Sequence, residues 1–191
     1  MVRTFVLSLV VLAGLSLPMF GQDSDAHDEN LDIRSPIGNL HVGDDADAKK
    51  IGLPLYPGAR LKTDDDNNSN QANLSLLTES FGMKLVVANY VSNAAPAKII
   101  DFYRGKLKRY GKVLECHSDK HGGDVNVHDN DGKDSGQSKA LKCDDNSGPV
   151  TELKVGTEDD QHIVSVEPSG TNGETKFALV YVRTRGKSGE I

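Results

Sequence analysis

The apolar residues of this chain follow three spacings, and each predicts a different kind of element. The first is continuous. Thr4 through Phe20 is an apolar stretch of about 17 residues behind a basic start at Arg3, and the chain turns acidic at Asp23. A membrane span needs about 20 apolar residues, so this layout predicts a secretory signal peptide over 1–22. The alternative is an uncleaved anchor, against which stand Pro18 near the exit and the lack of a basic flank after it. Residues 23–30 are acidic and apolar-poor and read as a flexible leader. A single domain is expected over 31–186, with a short tail at 187–191.

The second spacing is alternation, which predicts strands. Leu31 to Ile33 and Asn39 to Val42 read as two short strands joined by Ser35-Pro36-Ile37-Gly38. Leu74 to Glu79 and Lys84 to Val91 read as a pair joined by Phe81-Gly82. In the second of these, Leu85, Val87 and Val91 share one face, and Val86, Ala88 and Tyr90 share the other. Apolar residues on both faces predict a central strand covered on both sides, or one with an edge of its length covered by the Leu53-Pro54-Leu55-Tyr56 segment. Lys112 to His117, Lys139 to Asp144, Val150 to Thr157, His162 to Pro168 and Lys176 to Arg183 complete the set.

The third spacing is three to four residues. Ile99, Ile100, Tyr103, Leu107 and Tyr110 fall on one side of a helix predicted over Pro96 to Tyr110. Pro96 suits a first turn, and Gly111 suits a stop. Asp44 to Lys50 has room for one helical turn. Ile51 to Ala59 carries two prolines that forbid a helix, and Pro57-Gly58 suits a type II turn. This segment is expected to lie across the sheet and bury Leu53, Leu55 and Tyr56. Together these elements predict an α+β fold: a single twisted antiparallel sheet with one long amphipathic helix packed on one face.

Charge narrows the partners. The chain has 22 Lys and Arg against 28 Asp and Glu, a net charge of −6, and removing 1–22 makes it one unit more negative. That disfavours nucleic acid, which calls for a basic stripe. The absence of Trp disfavours a carbohydrate platform of stacked rings. No later stretch is long and apolar enough for a membrane span.

The two cysteines, Cys116 and Cys143, read as one disulfide in an exported chain. The alternative is a nucleophile pair of Cys116 with His117, but neighbours on a strand point to opposite faces. Ligand-type residues concentrate in a polar insert at 118–137 and at its edge. His117, His121 and His128, with Asp124, have the chemistry of a zinc or copper site. The competing reading is a solvated hairpin insertion, since Gly122-Gly123 and the Asp/Ser-rich surroundings supply no ordered support. No resident cofactor is therefore expected, with zinc or copper as the alternative. The acidic run Asp64 to Asn70 lacks the Gly and closing Glu of a calcium loop. His162 shares a strand face with Val164 and Val166 and reads as a core or border residue. No nucleophile elbow, zincin motif, phosphate loop or dinucleotide fingerprint occurs.

Leu53-Pro54-Leu55-Tyr56-Pro57-Gly58-Ala59, followed by Ile100-Asp101-Phe102-Tyr103 and Leu107, resembles a group of small exported bacterial proteins of unknown function. Those proteins combine a YPGA segment with a (V/I)xxFYxxxL helix ahead of a strand. The resemblance spans roughly Ile51 to Glu115. It implies bacterial export and a domain of helix and sheet, and it brings no catalytic residues. The reading that follows is a periplasmic or extracellular, non-enzymatic binding or interaction domain with an envelope or extracellular partner. A zinc- or copper-binding protein using the His/Asp insert is the alternative, and an unrecognised hydrolase is third.

Overall fold

The alternating segments pair in the order that short connections favour, each strand lying against a sequence neighbour wherever a hairpin permits. In a computed structural model the chain is described over residues 31–36, 38–43, 46–63, 71–79, 81–119, 139–143 and 146–186. The strands are β1 (Leu31–Ser35), β2 (Gly38–Gly43), β3 (Arg60–Leu61), β4 (Gln71–Thr78), β5 (Phe81–Ser92), β6 (Leu114–Ser118), β7 (Val150–Thr157), β8 (Asp160–Val166) and β9 (Thr175–Gly186). They form one antiparallel sheet in the order β1-β2-β4-β5-β9-β8-β7-β6, with β3 paired to β5 beyond the end of β4. The helices are α1 (Ala48–Ile51) and α2 (Pro96–Leu107), and a 3-10 turn over Lys108–Tyr110 follows α2.

This corrects the expected fold class. The chain is predominantly a nine-stranded antiparallel sheet, with two short helices in place of one long one. Pro96 and Gly111 bound the helical segment. Its last three residues tighten into the 3-10 turn, which leaves 12 residues of α-helix. Three turns of helix cover only part of so wide a sheet.

Several boundaries shift for physical reasons. Phe81 and Gly82 continue β5 rather than forming its turn, which makes it a 12-residue strand. It pairs β9 along its whole length, from Phe81↔Gly186 to Ser92↔Thr175, and β4 from Gly82 to Ala88, so β5 is central. The expected strand from Lys139 to Asp144 is absent over its described residues; only an isolated bridge, Ala140↔Thr157, remains.

One face of the sheet carries the main core. Val86, Ala88 and Tyr90 of β5, Leu153 and Val155 of β7, Val164 and Val166 of β8, and Phe177 and Leu179 of β9 pack with Ile99, Tyr103 and Leu107 of α2. Burying each large apolar side chain contributes about 1.5–3 kcal/mol. The segment before β3 closes this core. Asp47 caps α1 by accepting the Lys50 N–H at 2.7 Å, and Gly52 ends it in the left-handed conformation at φ 81°. Gly58 has φ 75°, and the Ala59 N–H donates to the Tyr56 carbonyl at 3.0 Å, the type II turn expected of Pro57-Gly58. Leu53 is buried and Tyr56 packs against the core, but Leu55 points outward and is 42% exposed.

Candidate interaction face

On the opposite face of the sheet the register lines up apolar side chains across four strands. Leu31, Val42, Leu74 and Leu85 stand in one cross-strand row, and Ile33, Leu40, Leu76 and Met83 stand in the next. At the β9–β8 side the same face is closed: Ile163, Ala178, Val180 and Val182 are fully buried, with Leu85 and Val87 packed half-buried against them. At the β1–β2 side it is open. Leu31 is 53% exposed, Ile33 47% and Val42 39%. A core surface therefore continues past the point where it is covered. Contiguous exposed apolar surface of this kind marks interaction sites in soluble proteins. The reverse side of the same hairpin is polar, with His41 Nδ1 2.8 Å from Asp32 Oδ1.

Next to the closed half of this face lies a buried polar cluster. Glu152 and Lys154 alternate with Leu153 on β7, so they share a face opposite the main core. Lys154 Nζ lies 3.0 Å from Glu152 Oε2, and Ser118 Oγ donates to Glu152 Oε1 at 2.8 Å. Glu152 is 1% exposed and Lys154 3%. Ser165, opposite Glu152 in the β7–β8 register, is equally buried, and its Oγ has no hydrogen-bond partner. The carboxylate is clamped from both oxygens, so this cluster anchors the sheet rather than presenting a free base.

Cys116 and Cys143 are joined in a disulfide, with Cα atoms 5.5 Å apart. The bond does not tie two strands. It pins an irregular segment to β6, and that attachment is reinforced where the His117 N–H donates to Asn146 Oδ1 at 2.9 Å. Cys116 shares the face of Glu152, while its neighbour His117 pairs with Thr151 and points the other way. A nucleophile pair of Cys116 with His117 is thereby removed, since the sulfur is bonded and the two side chains diverge.

Of the suggested metal ligands, His117 is half-buried on β6, and His121, His128 and Asp124 lie outside the described residues. Among the described residues no three His, Cys, Asp or Glu side chains converge as a ligand set. His162 sits where its strand pattern places it, on the main-core face of β8. Its ring stacks on Tyr110 with centroids 4.0 Å apart and tilts against Tyr181 at 4.8 Å. Burial pushes its pKa below the ordinary histidine value; nearby Asp160 and a hydrogen bond to the Ile51 backbone oppose the shift. Tyr110 donates to the Gly52 carbonyl at 2.6 Å, and Arg109 reaches the same oxygen. This group locks the end of α1 to the 3-10 turn and to β8.

The alternation of β1 and β2 was readable in sequence. What it lacked was the cross-strand register that joins their apolar side chains to those of β4 and β5. The Glu152–Lys154 pair was missed altogether. Its only sequence signal is two unlike charges two residues apart within an otherwise apolar strand.

A scan of family models, a search of curated proteins and a search of solved structures return no match to this chain. Among the described residues no helix is long and apolar enough to cross a membrane. The disulfide is consistent with an oxidising, exported environment.

Proposed function

We propose that this protein is an exported, non-enzymatic interaction domain, and that the open half of its apolar sheet face receives a protein partner in the envelope or extracellular space. The observation that carries the reading is the pair of rows through Leu31–Val42 and Ile33–Leu40, exposed at one end and continuous with buried core at the other. Exposing such a surface to water is unfavourable by roughly 25 cal/mol per Å², a cost that binding removes. The leader over 1–22, the disulfide and the resemblance of the YPGA segment to exported bacterial proteins support the address. Glu152 is held by Lys154 and Ser118, His162 by its ring stack and Tyr103 by the Tyr56 backbone, so these buried groups serve the fold.

The test is a partner-binding comparison between the exported chain and its Val42→Asp and Leu40→Asp variants. Binding should weaken at least tenfold, about 1.4 kcal/mol, with the thermal midpoint moved by no more than a few degrees. Partner binding that survives both substitutions removes this face from the reading.

A further inference from the structure

We infer that the outer edge of β1 pairs with the β1 edge of a second copy of this chain, joining two sheets about a two-fold axis. The inference concerns the edge of the sheet and does not depend on the partner proposed for its face. Among the described residues nothing pairs with the outer side of β1, whereas the other terminal strand, β6, is covered by the disulfide-pinned segment. An open edge is a template for another strand.

The direction of the backbone groups sets which residues can take part. Ser35 and Gly38 close a hairpin with a two-residue connection, so they form a hydrogen-bonded pair, and pairing alternates along the ladder from there. Leu31, Ile33 and Ser35 aim their N–H and C=O groups at β2. Asp32 and Arg34 aim theirs outward. Antiparallel self-pairing then has three registers centred on this strand: Asp32 opposite Asp32, Arg34 opposite Arg34, or Asp32 opposite Arg34. The first two place like charges directly across from each other, which is destabilising. The third places unlike charges across from each other at both ends of the two-fold and brings Ile33 against Ile33. The charges that would blunt the edge in any other register are complementary in this one.

The side chains are available for it. Arg34 makes no ion pair among the described residues. Asp32 holds His41 through Oδ1 and keeps its other oxygen for a guanidinium. A two-fold perpendicular to the sheet keeps the faces matched, so the Ile33 contact joins the apolar faces and the Asp32–Arg34 pairs lie together on the polar side. So short an edge buries less than a standard interface of about 1,600 Å², which places the dimer in the weak range, with Kd on the order of 0.1–1 mM.

Sedimentation of the exported chain over a range of concentrations tests the inference. The wild type should show a monomer–dimer equilibrium that weakens with added salt. Asp32→Arg and Arg34→Asp should each weaken dimerisation at least tenfold. The double substitution Asp32→Arg/Arg34→Asp should restore it, and an equimolar mixture of the two single variants should form a heterodimer. Arg34→Pro removes an outward N–H without touching the β1–β2 ladder and should give a monomer with unchanged circular dichroism. A wild type that stays monomeric up to about 1 mM, or a dimer indifferent to the single reversals, overturns the inference. So does a double variant that fails to recover pairing while folding normally.

Discussion

The phenol oxygen of Tyr103 accepts the backbone N–H of Tyr56 at 3.0 Å, although the two residues belong to different elements 47 positions apart. Tyr103 is fully buried on α2, and Tyr56 lies in the proline-bounded segment before β3. The bond fastens that segment over the core. Burial raises the Tyr103 pKa well above the ordinary phenol value, so the ring stays neutral throughout the accessible pH range. Tyr103→Phe keeps the packing and leaves the Tyr56 N–H without its acceptor. Denaturant unfolding should show a loss of about 1–3 kcal/mol.

Glu152 and Lys154 make a second prediction. Lys154→Met strands a buried carboxylate and should destabilise the protein by about 3–5 kcal/mol in equilibrium unfolding. The double variant Glu152→Leu/Lys154→Met should cost less than that single change, because no uncompensated charge remains. A double variant that loses as much as the sum of both singles contradicts this view of the pair.

The disulfide closes a loop with a separation of 27 residues. In the chain-entropy model that contributes roughly 3.5 kcal/mol. Cys116→Ala/Cys143→Ala should lower unfolding stability by about 2–4 kcal/mol. The purified protein, unfolded without reductant, should show no titratable thiol.

His162 gives a pH dependence with a definite sign. Its folded pKa lies below its unfolded value, so the unfolded chain takes up the proton first as pH falls. Stability is therefore lost with acidification, beginning near the unfolded value of about 6.5 and continuing down to the lowered folded pKa. Above that window the residue contributes no pH dependence. His162→Phe should flatten this part of the stability profile between about pH 7 and pH 5, as followed by thermal midpoints across that range.

Much of this fold is legible in the residues, for identifiable reasons. β7 and the type II turn at Pro57-Gly58 follow from alternation and from proline and glycine backbone limits, which act locally. Ile99, Tyr103 and Leu107 declare the buried side of α2 for the same reason. The weight of sheet over helix was less readable, because three helical turns leave the same apolar periodicity as the start of a longer helix. The segment from Lys139 carries strand-like alternation, yet the disulfide holds it against β6 outside any ladder. The exposed face escaped because exposure depends on what stands beside Leu31 and Ile33 in three dimensions. Leu85 and Val87 have the same alternation and are packed against Val180 and Val182.

The central claim is that the open half of the apolar sheet face binds a partner, and site-specific photocrosslinking tests it most directly. A crosslinking side chain at Val42, away from the β1 edge, should capture one distinct protein other than this chain in the cells that produce it, and Leu40→Asp should abolish the adduct. The same side chain at Lys98, exposed on α2 and so on the opposite face of the sheet, should capture none. Adducts of equal yield from both positions, or only with a second copy of this chain, contradict the claim.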